Sequence, residues 1–311
     1  MKKKLFNDFI IVISIVVLIE LFVKKVIVYM AISNALTIWV NTLIPTLFPF
    51  FIISDILINY NITLYIPKIF RNICKKIFNI SDEMLTIFLL SMISGFPSNA
   101  RNTRILYDKE KITLREANHI LIFSHFANPA FILITVAIFF FNNKKIGIIL
   151  LISHYLSNFI LGILFRNIGG YDKKGNEYYL ESNKFSDIFI MAIKKAIDNV
   201  LTICGILAIF LMLASIIINT FNLDGYTGAI IKGIFEITIG IETLSKLDIG
   251  VIYKVVISSI FLAFGGISVH MQVISQIIET DIDYKYFFIG RMYQAIISGL
   301  ISFLLCVFFS I

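Results

Sequence analysis

Charge is scarce in this sequence, and so are the residue constellations that carry enzyme chemistry. Asp, Glu, Lys and Arg make up 15% of the 311 residues, against about 25% in soluble globular domains, and that shortage excludes an ordinary water-soluble fold. Histidine occurs four times and cysteine three times. Cys74, Cys204 and Cys306 lie far apart, without metal-ligand or disulfide spacing, so no metal site and no disulfide framework is expected. There is no G-x-S-x-G elbow, no H-E-x-x-H pair, no phosphate-binding loop and no dinucleotide fingerprint, and the chain is read as a non-enzyme without cofactors. Basic residues outnumber acidic ones, 27 to 20. They come in small groups (Lys2-Lys3-Lys4, Lys24-Lys25, Lys75-Lys76, Lys144-Lys145) that suit loops orienting helices and not a nucleic-acid surface.

Apolar residues are abundant, at 58%, with a mean hydropathy of +0.89. The chain is therefore read as an all-α polytopic membrane protein with the lipid bilayer as its solvent. Phe9 to Val23, behind three lysines, has the outline of a signal peptide, but Lys24-Lys25 closes it and no small-residue cleavage site follows. A retained helix with a cytoplasmic N-terminus is expected, with Glu20 near its end beside the two lysines. Val26 to Asn59 contains Asn41, Pro45, Pro49 and Asp55 and reads as two pieces joined at the prolines. Ile66 to Phe78 alternates basic and apolar residues as a surface-lying amphipathic helix does.

Met84 to Phe96 is 13 residues long, too short for the roughly 20 that cross a bilayer, so it is read as re-entrant. The break that ends it, Ser94-Gly95-Phe96-Pro97-Ser98-Asn99-Ala100-Arg101, frees backbone groups that must line a cavity or meet protein. Arg101, with the N–H groups of the following helix, has the makings of an anion contact. Arg104 follows, where anchoring in headgroups is the competing reading. Asn102 to Asn118 is polar and helical in pattern, with a capping box from Thr113 to Glu116. His119 to Phe141 is interrupted at Ser124, His125, Asn128 and Pro129, and Ile146 to Phe165 is a span carrying His154, Ser157 and Asn158. A histidine here suits a proton relay or solute contact, or equally a neutral ring satisfied by its neighbours.

After a polar stretch with Gly169-Gly170 and Lys173-Lys174-Gly175-Asn176, the outline recurs. Phe185 to Asp198 is amphipathic, Val200 to Ile218 is a span, and Tyr226 to Ser245 is semi-polar. Ile252 to Ile278 is broken at Gly265-Gly266, and Tyr286 to Ile311 is the last span. Aligning 123–130 with 261–268 matches the breaks at an offset of 138, the pattern of carriers built from two related halves. Glu236, with Thr238 two residues on, sits among apolar and small neighbours and is the candidate for proton or sodium coupling. Gly265, Gly266, Ser268, His270 and Gln272 offer close backbone approach and three polar side chains to a solute, though the glycines serve helix packing equally well.

Four ordered blocks, Ser94 to Ala100, Ile112 to Asn118, Ser124 to Phe131 and Phe264 to Val273, resemble the sporulation integral membrane proteins of the YlbJ type. These carry a nucleoside-recognition or gate domain similar to part of the concentrative nucleoside transporters. The resemblance implies two gate-like repeats and a carrier of dipicolinic acid in the outer forespore membrane. It places gate motifs on Gly95, Pro97, Ser98, Asn99, Asn128, Pro129, Glu236, Gly265, Gly266, His270 and Gln272. The expected organisation is a membrane helix over 1–35, a first repeat over 36–165, a linker over 166–184 and a second repeat over 185–311. The competing expectations are a carrier of nucleoside-like solutes and a membrane scaffold for cortex assembly.

Overall fold

The computed structural model describes residues 2–169 and 184–311, and the described chain is helical with no strand. Helices α1 (Lys2–Val23), α2 (Lys25–Ile38) and α3 (Ile44–Asn59) come first. The two pieces expected around the prolines form one continuous rod, since the π-helical turn Trp39–Leu43 joins α2 to α3. Pro45 directly follows the π turn and Pro49 lies further inside α3, so both missing N–H donors fall within the rod.

Helix α4 (Lys68–Phe78) is bent by 94° from α5 (Asp82–Ser94) and leaves Ile69, Phe70, Ile73 and Ile77 exposed. Helix α5 starts at Ser81, whose side chain accepts from Met84 N, and has Asp82 and Glu83 in its first turn, where the helix dipole favours carboxylates. Next come α6 (Ser98–Asp108) and α7 (Leu114–Phe123), the latter opening on the expected Thr113–Glu116 capping box. A non-helical stretch over 124–128 leads to the π-helical segment Phe131–Phe140 and then to α8 (Lys144–Leu164). The expected linker, with Lys173-Lys174-Gly175-Asn176, lies largely outside the described residues.

The amphipathic and spanning segments expected after the linker are one helix, α9 (Phe185–Phe221), of 37 residues. Nothing at Asp198-Asn199 breaks it, and its buried stripe (Ala192, Ala196, Val200, Ile203, Leu207, Leu211) runs through that point at helical spacing. The chain continues with α10 (Gly225–Phe235), α11 (Ile237–Ser245), α12 (Val251–Phe264), α13 (Gly266–Ile277) and α14 (Tyr284–Phe308). Among the described residues five helices are long and apolar enough to cross a membrane, six if the bent α4–α5 pair is counted.

Element order repeats along the chain. Two broken segments and an unbroken helix occupy 82–164, and the same order occupies 225–308. Helix α5 ends at 94 and α10 at 235, and α7 ends at 123 and α12 at 264. Both offsets are 141, close to the 138 read from the sequence. Helix α14 packs on α7, α8 and α12, while α2 and α3 pack on α9. The surface is inverted relative to a soluble protein: α14 buries Arg291, Gln294, Ser298 and Ser302 and exposes Ile296, Leu300, Phe303, Leu304 and Phe308. Only a hydrocarbon surround makes that arrangement favourable.

Candidate functional site

Two breaks of the first half meet face to face. At Gly95 the backbone takes φ +80 and ψ −179, a region open essentially to glycine, and the next peptide, Phe96-Pro97, is cis. A Cβ on Gly95 would stand 2.7 Å from Asn128 N and 2.8 Å from Asn128 Cβ, so glycine is what lets the second break approach. Asn128 ties the two together. Its Nδ2 donates to the carbonyls of Ile93 and Ser94 at 3.3 and 3.4 Å, and its Oδ1 accepts from Ala130 N at 2.8 Å.

The second half contributes two breaks of its own. Glu236 separates α10 from α11 in extended conformation and caps the latter, accepting from Ile239 N at 3.0 Å and from Thr238 Oγ1 at 3.1 Å. These donors at the N-terminal end of α11 satisfy both of its carboxyl oxygens. Gly265, at φ +94, ends α12 and begins α13. A pocket forms where the breaks converge, lined by Phe96, Asn128, Phe131, Glu236, Thr238 and Gln272, with Leu43, Thr46, Leu47, Leu207, Ile237 and Val269 completing its wall. Glu236 also borders a second pocket, shared with Asn34, Ser215 and Lys232. It thus stands in the partition between them.

Of the residues expected at the site, Asn128, Glu236, Thr238 and Gln272 line the cavity directly. His125 lies behind it, its ring stacked on Phe96 with centroids 4.9 Å apart and its Nε2 beside Gly265. Ser98, Asn99 and Ser268 are buried and, among the described residues, carry side-chain atoms without a hydrogen-bond partner, and both ring nitrogens of His125 likewise lack one. Groups of this kind in a packed interior call for water or a solute. Gly266 supports the fold, packed against the carbonyls of Gly233 and Ile234. His270 is engaged, bonded to Tyr284 Oη at 2.6 Å and to the Phe264 carbonyl at 3.0 Å. Pro97 and Pro129 flank the breaks. Arg101 is not in the cavity wall: its Nη2 donates to Asp55 at 2.5 Å, and its guanidinium lies 5.0 Å from the centre of the Phe51 ring. Arg104 bonds Asp108, Glu279 and the Gln276 carbonyl.

Arg291, which the sequence reading passed over, is fully buried behind the cavity. Among the described residues it meets no carboxylate. Its Nη2 donates to the Ile122 carbonyl at 2.8 Å, and its Nη1 reaches the carbonyls of His125 and Ala263 at 3.5 and 3.4 Å and the side chain of Gln294. Gln294 donates to the His154 carbonyl at 3.1 Å, Asn158 to the His125 carbonyl at 2.6 Å, and Ala127 N to His154 Nε2 at 2.8 Å. The charge thus rests on the carbonyl ends of α7 and α12, where a cation is favoured. A signal for it existed: Arg291, Gln294, Ser298 and Ser302 recur at helical spacing inside an apolar run, marking an inward face.

Residues 40–144 match the Gate family model, described as nucleoside recognition. The chain is 28% identical over 310 residues to the sporulation integral membrane protein YlbJ of Bacillus subtilis (strain 168), an alignment covering 88% of this chain and 76% of the relative. No solved structure matches. The resemblance read from the four sequence blocks is borne out, and the Gate match spans the breaks at Gly95 and at Asn128-Pro129. With its apolar outer face, the chain is an integral membrane protein.

Proposed function

We propose that this protein is a secondary carrier that moves a small solute, dipicolinic acid, across the outer forespore membrane during sporulation. The observation that carries the reading is the convergence of breaks from 82–140 and 225–277 on one cavity. Its wall is mostly apolar, with Thr46, Asn128, Glu236, Thr238 and Gln272 as the polar groups. A flat heteroaromatic with a polar edge suits such a wall, the ring against Phe96, Phe131, Leu207 and Val269 and the edge against the amides. The name of the Bacillus subtilis relative supports sporulation, and the Gate match supports a carrier-like module. In this reading 36–165 and 185–311 are two gate-like repeats, the first preceded by a membrane helix, and Glu236 couples solute movement to a proton or sodium ion. The description of the Gate model favours a second cargo, a nucleoside-like solute.

The test is uptake of labelled dipicolinate and of labelled nucleosides into vesicles containing this protein alone. Uptake of dipicolinate supports the reading, and uptake of nucleosides alone transfers it to the second cargo. Uptake of neither overturns the carrier and leaves the scaffold for cortex assembly. Asn128→Ala is expected to reduce uptake about tenfold or more, since it unties the two breaks that shape the cavity. Glu236→Gln is expected to slow uptake and abolish its dependence on an imposed proton or sodium gradient; a variant that keeps full gradient dependence excludes Glu236 from coupling.

A further inference from the structure

A second polar pocket, of about 920 Å³, opens at one end of the helix bundle. It is lined by Arg101, Arg104 and Asp108 of α6, by Lys195, Asp198 and Asn199 of α9, and by Gln276 and Glu279. Helices α9 and α13 line both this pocket and the central cavity, while α6 lines the pocket and α3 the cavity, and these two meet at the level of Arg101. Along α9, Leu207 faces the cavity and Lys195 to Asn199 face the pocket, about 12–18 Å apart at the helical rise. From α13, Val269 and Gln272 face the cavity and Gln276 the pocket. Helix α6 begins at the break below Phe96 and reaches the pocket at Arg101. Along α3, Thr46 and Leu47 face the cavity, and Phe51 and Asp55 follow at the level of Arg101.

An ion pair is buried at the level between the two spaces. Asp55 and Arg101 are buried, bonded at 2.5 Å, with the Phe51 carbonyl accepting from Arg101 Nη1 at 3.4 Å. The pair is incomplete, because Asp55 Oδ1 has no partner among the described residues. Asp55 also borders a side cavity of about 570 Å³ with Asn59, Lys109, Asp187 and Lys195, and Lys195 lines this cavity and the polar pocket alike. Lys109 and Lys195 both border the side cavity that Asp55 lines.

We propose that the polar pocket is the aqueous mouth of the solute pathway and that the Asp55–Arg101 pair is the seal between the mouth and the central cavity. Opening the path means parting this pair, and Lys195 is placed to receive the released carboxylate. The inference takes the cavity as a carrier site, as proposed above, but its test needs no cargo.

Single cysteines are placed at Asn199, in the mouth, and at Thr46, in the cavity, in full-length protein whose three native cysteines are replaced by alanine. Vesicles of fixed orientation are treated on either face with a membrane-impermeant thiol reagent. The Asn199 cysteine is expected to react from one face only, and the Thr46 cysteine to be protected from that face. Asp55→Asn is expected to raise labelling at position 46 from the same face about tenfold or more, as for a minor open state made dominant. The exchange Asp55→Arg with Arg101→Asp is expected to restore protection. If Asp55→Asn does not reach the membrane, Asp55→Asn with Arg101→Gln, which leaves no unpaired charge, is read in its place. Unchanged labelling at position 46 overturns the seal, and an Asn199 cysteine unreactive from both faces overturns the mouth. Vesicles that carry neither dipicolinate nor nucleosides but show this labelling pattern would sink the carrier and leave the route standing.

Discussion

Gly95 and Asn99 differ in what their replacement should reveal. Gly95 holds a glycine-only conformation against the Asn128 backbone, so Gly95→Ala is expected to destabilise the protein by at least about 1–3 kcal/mol from backbone strain, with the clash against Asn128 adding to it. Thermal unfolding in detergent checks this, and a midpoint equal to wild type would refute the strain. Asn99 is buried, and among the described residues both its side-chain amide atoms are unpartnered. Since the folded protein gains no hydrogen bond from it, Asn99→Leu is expected to leave the midpoint unchanged or raised, while uptake falls. A lowered midpoint with normal uptake would assign Asn99 to structure. Residue types at breaks were the most legible part of the site. Gly, Pro and Asn announce a break wherever they interrupt an apolar run, which is how Gly95, Asn128-Pro129 and Gly265-Gly266 were found. Glu236 was found by its charge alone, and the break it makes was not foreseen, because no glycine or proline stands at that position.

At the scale of elements, apolar length and periodicity carried α4, α5, α8, α12, α13 and α14, whereas α7 was marked by its capping box alone, and the polar helical stretch expected over 102–118 is divided between α6 and α7. They failed at α9 for a physical reason. A shift from amphipathic to uniformly apolar composition marks a change of surroundings, from headgroups to hydrocarbon, and not a change of backbone. The rod from Lys25 to Asn59 shows the converse. Its prolines suggested an interruption, and a π turn took it up without breaking the rod. Helix α4, turned by 94° from α5 with an exposed apolar face and a basic one, is suited to lie in the interface. Phe70→Trp is therefore expected to fluoresce with a blue-shifted maximum and to be quenched by lipids brominated near the headgroup. Equal quenching by a water-soluble agent alone would place α4 away from the membrane.

For the whole molecule, the pivotal contact is the one that the sequence reading missed. Arg291 joins the end of α7, the stretch after it and the end of α12 to α14, so a single cation links broken segments from both halves. Replacing it with Met leaves those carbonyls unanswered in a dry interior, and a loss of about 3 kcal/mol or more is expected, measured by unfolding in detergent. Long-range convergence of this kind is invisible to periodicity, since it depends on which ends meet. The length of α9 has a further consequence. Its 37 residues make a rod about 55 Å long, against a hydrocarbon layer of about 30 Å, and the apolar stretch from Val200 to Ile218 fills that layer. Lys195 to Asn199, the floor of the polar pocket, then lie in the headgroup layer, inside the surface potential of the membrane. At about −30 mV a doubly charged anion is depleted there about tenfold relative to bulk, and salt restores it. Carriage of a dianion would thus rise with ionic strength in anionic vesicles and be indifferent to it in neutral ones, whereas carriage of a neutral nucleoside would not respond in either.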